Sequence, residues 1–384
     1  MTWSIEQIGL ADRRLRDFVR VPWVLFRGDP YWTPPLNGEL LGNRLLGLKG
    51  LLTPQHPYHD DAEVTHFIAR DGRRLLGRVS AAVNHRFNDH YDSEIGFFGF
   101  FEVGDDYAVA EALLDHARDW LAARGMTVMR GPGAYSNATT EPHQAVLIDG
   151  FDTPPTVELT HNPAYYPEFL ERYGLKKAKD YHAYKILLEP PSQRLIRIAK
   201  AAQQRRNIET RVVVLKNLRA EVDKIVEIYN QAWANNWGFL PINSAEADAT
   251  ASNLRMVIDP GLMRVATVNG ELAAVLGALP DPNIPFRPRW NRFQDADIMR
   301  VLRLLRTRRR IPVMRLMFFG VVPKFRKLGI DALLYQQVQQ YAVQHGYRMC
   351  EPSMLLEDNE LILRASASMD GERYKTWRIY EMNL

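Results

Sequence analysis

The sequence has little of three things: cysteine, long apolar runs and net charge. Its single cysteine, Cys350, cannot form an internal disulfide, so the fold depends on a packed core and suits a reducing compartment. No apolar run reaches membrane length, and the N-terminal residues do not resemble a signal peptide. A net charge of +4 is too small to indicate a nucleic-acid ligand. These absences predict a cytoplasmic protein without a transmembrane segment, for which nucleic acid is an unfavoured partner.

A metal-ligand pattern is also missing. His56, His59 and His161 have no second cluster of ligand residues at a suitable spacing, so we predict no metal site. The 384 residues are 46% hydrophobic and 10% aromatic, which excludes a mainly disordered chain. The length is sufficient for two domains with their own cores.

The most informative segment is an apolar strand followed by a basic loop and a helix. The run from Val313 to Val322 predicts a buried strand, and Pro323 ends it because proline cannot donate to a sheet. After the loop, apolar residues recur at helical spacing from Ile330 until near Gly346. Free backbone N–H groups and the dipole at such a helix start favour an anionic ligand.

The loop Lys324-Phe325-Arg326-Lys327-Leu328-Gly329-Ile330-Asp331-Ala332 resembles the signature (Arg/Gln)-x-x-Gly-x-(Gly/Ala) of the GNAT superfamily of acyl-CoA-dependent N-acyltransferases. Arg326 and Gly329 match its first two positions, whereas Asp331 stands where glycine or alanine is expected and Ala332 follows it. The resemblance implies acetyl-CoA or another acyl-CoA as cosubstrate. The cofactor-binding residues that it implies are Val321, Val322, Arg326, Lys327, Leu328, Gly329, Ile330, Asp331, Ala332 and Asn359.

Basic residues surround this loop. No acidic residue lies between Asp297 and Asp331, which suits the phosphates of coenzyme A. The arginines from Arg300 to Arg310 also fit two other interpretations: the solvated face of a helix, or a basic amphipathic helix at a membrane surface.

A proline-containing linker, Glu189-Pro190-Pro191-Ser192, predicts a division into domains 1–190 and 191–384. On both sides the same predicted order recurs: a strand pair, a strand, a helix, a strand, a short helix and a closing strand. In the second half a predicted helix from Glu221 to Trp237 precedes this series. The predicted fold class is mixed α/β, with two tandem GNAT-like domains, each a bent mixed sheet flanked by helices.

The wider sequence is similar to a bacterial group of tandem-GNAT proteins whose substrate is unassigned. The segments that carry this similarity are residues 29–35, 96–101, 130–132, 149–155 and 162–166 in the first half and 229–239, 357–359 and 374–381 in the second. They span most of the chain. They leave the acceptor, the acyl chain length and the oligomeric state open.

The first half has no comparable cofactor loop. In place of the basic loop it has Gly104-Asp105-Asp106-Tyr107, and two aspartates repel a pyrophosphate. Asp105 is instead predicted to cap a helix. We therefore expect one coenzyme A per chain, bound by the second domain, and a degenerate first domain.

The resemblance implies a base for the acceptor amine and an acid for the leaving thiolate. The apolar strand has no carboxylate, so the nearest candidates are Glu351, Glu357 and Asp358, and Glu357 is the predicted base. The family often has a tyrosine acid on its fourth helix, where this sequence has Ser366. Tyr374 is the predicted substitute. A capping role for Glu357 and strand packing for Tyr374 are the structural alternatives.

Acceptor contacts are predicted in both halves. The resemblance places the acceptor beside the first two helices of a domain, where Asn236 and Trp237 lie, with core packing as the alternative for the tryptophan. Asn137 and Glu141 belong to a polar loop after a strand, a position that often carries ligand contacts. The predicted acceptor is a small-molecule or peptide amine.

Three functions stay open at this point. An acyl-CoA-dependent N-acyltransferase is favoured. The second is a catalytically silent protein that binds coenzyme A or a partner. The third is a tRNA-dependent aminoacyltransferase resembling the tandem-GNAT peptidoglycan enzymes, for which the arginines at 300–310 are the only candidate tRNA surface.

Overall fold

The computed structural model describes residues 3–133 and 144–384. These residues form two compact units, each built from several segments of chain. The first runs up to His182 and includes Phe286–Arg303 and Lys375–Leu384, and the second comprises Ala183–Pro285 and Leu304–Tyr374. The domain boundary near residue 190 stays a prediction, because compactness does not test descent from a duplicated domain.

The chain up to the end of the seventh strand contributes seven strands and five helices to the described structure. They are β1 (Ser4–Ile8), α1 (Leu15–Leu25), α2 (Asn37–Leu41), β2 (Ala62–Asp71), β3 (Arg74–Asn84), α3 (His85–Tyr91), β4 (Ile95–Val103), α4 (Tyr107–Ala122), β5 (Val128–Gly131), β6 (Val146–Asp149), α5 (Tyr165–Arg172) and β7 (Lys176–Leu187).

The rest of the chain continues the alternation of helices and strands. Its elements are α6 (Gln193–Arg206), β8 (Ile208–Val212), α7 (Leu218–Ala232), α8 (Ser244–Leu254), β9 (Met263–Val268), β10 (Glu271–Pro280), α9 (Asn283–Phe286), α10 (Asp297–Thr307), β11 (Val313–Val321), α11 (Ile330–Gln344), β12 (Met349–Pro352), β13 (Leu355–Leu356), α12 (Glu360–Ser368) and β14 (Glu372–Asn383).

In the first unit, β1 to β4 form an antiparallel series. Strand β5 is parallel to β4, but only residues 95–97 pair with residues 128–130. Because β4 continues to Val103, the two parallel strands part after Phe97. The register between β3 and β4 also shifts beside Phe100, whose φ is 47°.

The second unit repeats this arrangement. Strands β9, β10 and β11 are antiparallel neighbours, α11 follows β11, and β12 returns parallel to β11. Parallel pairing again covers only a short stretch, residues 313–316 with residues 349–352. The register between β10 and β11 shifts at Gly277. The order of elements predicted twice from the sequence is thus found along both halves of the chain, and the mixed α/β class is confirmed.

Helix–sheet packing forms the core of each unit. In the first, α4 places Val109, Leu113 and Leu114 against the sheet, all at most 1% exposed. In the second, α11 does the same with Leu334 and Val338. Both helices bury one apolar stripe, as their spacing predicts.

Two local predictions are wrong. The helix predicted to reach Trp237 ends at Ala232, and the chain turns there. The predicted cap residue of α4 is also displaced by one position, because Asp106 rather than Asp105 accepts the N–H of Ala108 at 3.1 Å.

Among the described residues, no helix is both long and apolar enough to span a bilayer.

Candidate functional site

An opening between two parallel strands lies at the centre of the second unit. Strands β11 and β12 pair as far as Leu316 and Pro352. Strand β11 then continues to Val321, while the chain leaves β12 at Ser353. A strand that loses its parallel neighbour exposes backbone groups to whatever enters the gap. The predicted cofactor loop begins at the end of this strand.

The loop holds its backbone N–H groups ready for an anion. The N–H of Val322 is used by the sheet, since it donates to Ala273 O at 2.9 Å. In the part of the chain that the structure describes, the N–H groups of residues 327–332 have no acceptor. Lys327 and Gly329 both have positive φ, 66° and 81°, which turns the chain into the start of α11. These residues can therefore hold a phosphate.

Gly329 is required sterically as well as conformationally. A Cβ atom at this position would lie 2.9 Å from Cβ of Ala202 on α6. Asp331, the residue that departs from the family signature, is exposed in the first turn of α11. A carboxylate there interacts favourably with the helix dipole, so the departure is compatible with a helix start.

Arg326, at the first position of the motif, contacts the backbone of two other elements. Its Nε lies 3.3 Å from Val321 O, and its Nη2 lies 3.1 Å from Ala232 O. The guanidinium therefore joins the end of β11 to the end of α7. It supports the loop, and its exposed side also adds positive charge near it.

An aromatic wall borders β11 on the side of α7. The Trp233 ring stacks on Tyr229 with centroids 4.8 Å apart, and Phe239 packs on Tyr229 at 5.6 Å. A Cβ at Gly320 would lie 2.1 Å from the Trp233 ring, so glycine permits this close approach. Burial raises the pKa of Tyr229 to about 12, so its hydroxyl stays neutral.

Of the predicted acceptor residues, Asn236 and Trp237 lie in the turn after α7 and are half-buried. The turn is fastened by Asn230, whose side-chain amide exchanges two hydrogen bonds with the backbone of Ile242, at 2.9 and 3.1 Å. Asn137 and Glu141, the other two predicted acceptor residues, lie outside the described residues.

A buried polar cluster lies at the base of the opening. Tyr374 donates its hydroxyl to the carboxylate of Glu351, which is fully buried on β12. Beside them Arg315 donates to Ser353 Oγ at 2.8 Å. Burial, followed by the charge of Glu351, raises the pKa of Tyr374 well above its ordinary value. Tyr374 therefore holds its proton tightly, which weakens it as a general acid.

The other predicted residues of this region lie at the start of α12. Glu357 is half-buried in the turn after β13, and Asn359 is the N-cap residue of α12, with its side-chain oxygen 3.5 Å from Ile362 N. Ser366, at the position of the family's tyrosine, is buried at 1% exposure. The carboxylate in contact with Tyr374 is thus Glu351 rather than the predicted base Glu357.

The first unit contains a small, partly open cavity beside the C-terminal end of β4. It is lined by Glu102, Pro132, His161 and Tyr166, among others. His161 Nε2 is 3.1 Å from the carboxylate of Asp29. Burial opposes ionisation of Asp29, but hydrogen bonds from His161 and from the N–H groups at positions 31 and 32 lower its pKa below the ordinary value.

This arrangement fixes the tautomer of His161. An ionised carboxylate only accepts hydrogen bonds, so Nε2 carries the proton and Nδ1 keeps its lone pair in the neutral ring. Within residues 3–133 and 144–384, Nδ1 is buried and has no hydrogen-bond partner. Sequence reasoning considered His161 only as a metal ligand. It missed the pair because Asp29 is 132 positions away, and no local pattern signals such a contact.

Within the described residues, no group of three or more His, Cys, Asp or Glu side chains is placed to hold a metal ion.

Comparison with known proteins gives relatives over the full length. A protein named "Bacterial ceramide synthase" from Caulobacter vibrioides is 32% identical over 386 residues, covering 96% of this chain and 95% of its own. Protein YghO of Escherichia coli K12 is 25% identical over 390 residues, covering 96% and 93%. No protein-family model matches the chain.

Solved structures give the fold. A tandem GNAT protein from the clavulanic acid biosynthesis pathway superposes with a TM-score of 0.57 at 12% identity, covering 99% of this chain and 98% of the other. A GCN5-related N-acetyltransferase from Sphaerobacter thermophilus gives 0.52 at 13% identity, covering 100% and 96%. The predicted GNAT resemblance is thereby confirmed. The protein has the tandem GNAT fold and belongs to the family of the bacterial ceramide synthase of Caulobacter vibrioides.

Proposed function

We propose that this protein is an acyl-CoA-dependent N-acyltransferase whose acceptor is the amine of a long-chain amino alcohol. The observation that carries the proposal is the 32% identity, over 96% of the chain, to a protein named for ceramide synthesis. A ceramide is the amide of a fatty acid and a long-chain amino alcohol, so its synthesis is an N-acyl transfer. Acyl transfer is also the class of reaction predicted from the sequence.

We assign the acyl-CoA to the opening beside β11. The N–H groups of residues 327–332 would hold the pyrophosphate, because they lack acceptors among the described residues and stand at a helix start. Val321 and Val322, at the end of β11, would border the pantetheine. Asn359 would contact the cofactor from the start of α12. The loop itself carries three exposed basic residues, Lys324, Arg326 and Lys327.

The reaction needs two proton movements. The amine nitrogen attacks the thioester carbonyl, the new C–N bond forms, the C–S bond breaks, and coenzyme A leaves as a thiolate that takes up a proton. Glu357 is assigned to accept the amine proton, since it is only half-buried, whereas Glu351 is fully buried and already bonded to Tyr374. Tyr374 is assigned to holding Glu351, a positioning role.

The acceptor contacts remain those predicted from the sequence: Asn236, Trp237, Asn137 and Glu141. The aromatic wall formed by Tyr229, Trp233 and Phe239 adds an apolar surface near Asn236, which suits an acceptor with a hydrocarbon chain.

Release of free thiol from acyl-CoA tests this function. The purified chain is incubated with acetyl-CoA or palmitoyl-CoA, with and without the amino alcohol sphinganine, and the amide product is identified by mass spectrometry. We expect thiol release that requires sphinganine and yields the matching amide. The two acyl-CoAs decide between the acetyl donor predicted from the sequence and a long-chain donor.

Two outcomes contradict the proposal. Coenzyme A binding without any amide product would make the protein a silent member of the fold. Amide formation with short polar amines but none with sphinganine would keep the N-acyltransferase and remove the long-chain acceptor.

A further inference from the structure

Helix α10 has apolar side chains on two adjacent faces, one buried and one exposed. Val301 and Leu304 are buried, at 5% and 0% exposure. Ile298, Leu302 and Leu305 are 51%, 45% and 46% exposed. Their spacing of four and three positions places them along one side of the helix. An apolar stripe that stays in solvent on a folded helix indicates a contact surface.

The buried face of α10 is fixed by polar contacts as well as by packing. Arg300 is fully buried and donates to the carbonyl oxygens of Pro34, Pro35 and Phe286. The carboxylate of Asp297 accepts two backbone N–H groups at the start of α2, at 2.9 and 2.7 Å. The helix therefore cannot rotate to bury its outer stripe without breaking these bonds.

Cations flank the exposed stripe. Arg306, Arg308, Arg309 and Arg310 are all exposed. In the described chain none of these four side chains forms an ion pair with a carboxylate. Phe293, which is 70% exposed, lies just before the helix. An apolar stripe with arginines at its end is typical of a helix that lies in the interface of a membrane.

We propose that α10, with Phe293 before it and the arginines after it, docks the protein on the surface of a bilayer that contains anionic lipids. The apolar side chains enter the boundary of headgroups and acyl chains, and the arginines pair with lipid phosphates. This inference does not depend on the proposed function, although a membrane is where long-chain substrates are found.

Other occupants fit these observations less well. A nucleic acid would use the arginines but would leave Ile298, Leu302 and Leu305 uncovered. In an antiparallel pair with a second copy of the chain, the arginines would meet the other end of the partner's α10, where Asp295 is buried and Asp297 is bonded to the backbone of α2. Charge complementarity therefore favours an anionic lipid surface.

Vesicle flotation tests the proposal with the full chain. Vesicles of phosphatidylcholine alone are compared with vesicles that also contain phosphatidylglycerol. We expect binding that requires phosphatidylglycerol and weakens as salt rises. The triple variant Ile298→Ser, Leu302→Ser, Leu305→Ser and the quadruple replacement of Arg306, Arg308, Arg309 and Arg310 by glutamine should each bind at least ten-fold more weakly.

Matched controls carry the same changes elsewhere. Leu45→Ser removes a leucine that is 90% exposed. The double variant Arg73→Gln, Arg74→Gln removes two exposed arginines, one in the turn after β2 and one at the start of β3. Both should bind vesicles like the parent. Thermal melting of each variant confirms that it is folded.

Three results would overturn the proposal. The first is equal binding of the parent to neutral and anionic vesicles, or no binding. The second is RNA binding that depends on the arginines but not on the apolar stripe. The third is a dimer in light scattering that the apolar variant dissociates while vesicle binding stays unchanged.

Discussion

Two glycines beside the proposed cofactor site have specific physical reasons to be glycine. Gly329 adopts a φ of 81° and faces Ala202, while Gly320 accepts the ring of Trp233 against the strand. Side chains at either position would move the loop or the aromatic wall away from β11. The loop motif identified Gly329 from the sequence, whereas nothing local pointed to Gly320, because its partner lies on another element.

The proposed base is tested by replacing Glu357 with glutamine. Loss of a general base lowers kcat by roughly 100-fold or more, while coenzyme A affinity should stay unchanged because Glu357 lies outside the phosphate loop. Glu360→Gln is the matched control, since this glutamate is exposed on α12 and paired with Arg364. Steady-state kinetics and calorimetry of both variants give the comparison.

The roles of the two glutamates are separable. If Glu357→Gln keeps the kcat of the parent while a folded Glu351→Gln variant loses it, the base is Glu351 and our assignment is wrong. Melting temperatures of both variants are needed, because removing the partner of a buried hydroxyl also destabilises the fold.

At the scale of elements, local patterns predicted much of the order and position of the structure. The strand predicted from Val313 to Val322 is found at Val313–Val321, since Pro323 ends it as expected. The predicted helix ending at Trp237 failed because the side chain of Asn230 binds the backbone of Ile242 and holds the chain in a turn. The apolar pattern continues through that turn, so periodicity alone could not reveal its end.

Contacts between distant segments were beyond prediction from the sequence. The pairing of Asp29 with His161 joins residues 132 positions apart, and Arg300 binds carbonyl groups more than 260 positions earlier in the chain. Both contacts involve residues 29–35, a segment that had no predicted structural role beyond its similarity to the tandem-GNAT group. Such contacts depend on how the elements pack, which one sequence without its relatives does not record.

At the scale of the whole molecule, buried histidines predict loss of stability in acid. Burial, with His59 and Arg78 nearby, lowers the pKa of His66 from 6.5 to about 3, and His66 is fully buried on β2. The folded protein binds this proton less readily than the unfolded chain does. The fold therefore keeps its full stability only when the pH lies above the unfolded pKa of 6.5. This stability is lost as the pH falls from about 6.5 towards 3, because the unfolded chain binds the proton first.

At pH 5 the lowered pKa of His66 decreases the free energy of unfolding by about 2 kcal/mol relative to neutral pH. His66→Gln removes the titrating group, so the free energy of unfolding in urea should fall less between pH 7.5 and pH 5 than it does for the parent. His85→Gln, at a side chain that is 54% exposed, is the control. Identical pH slopes for the parent and the His66 variant would show that folding does not lower the pKa of His66.

The central claim is that the second unit alone binds the acyl-CoA through the loop before α11. Isothermal titration calorimetry with coenzyme A tests it most directly. There are two control variants. Gly346→Ala changes a glycine that also has a positive φ, 87°, but has open space around it, and Asp105→Ala changes the first unit. We predict one site per chain, lost in Gly329→Val and kept in both controls. Two sites per chain, or parent-like binding by Gly329→Val, would contradict the account.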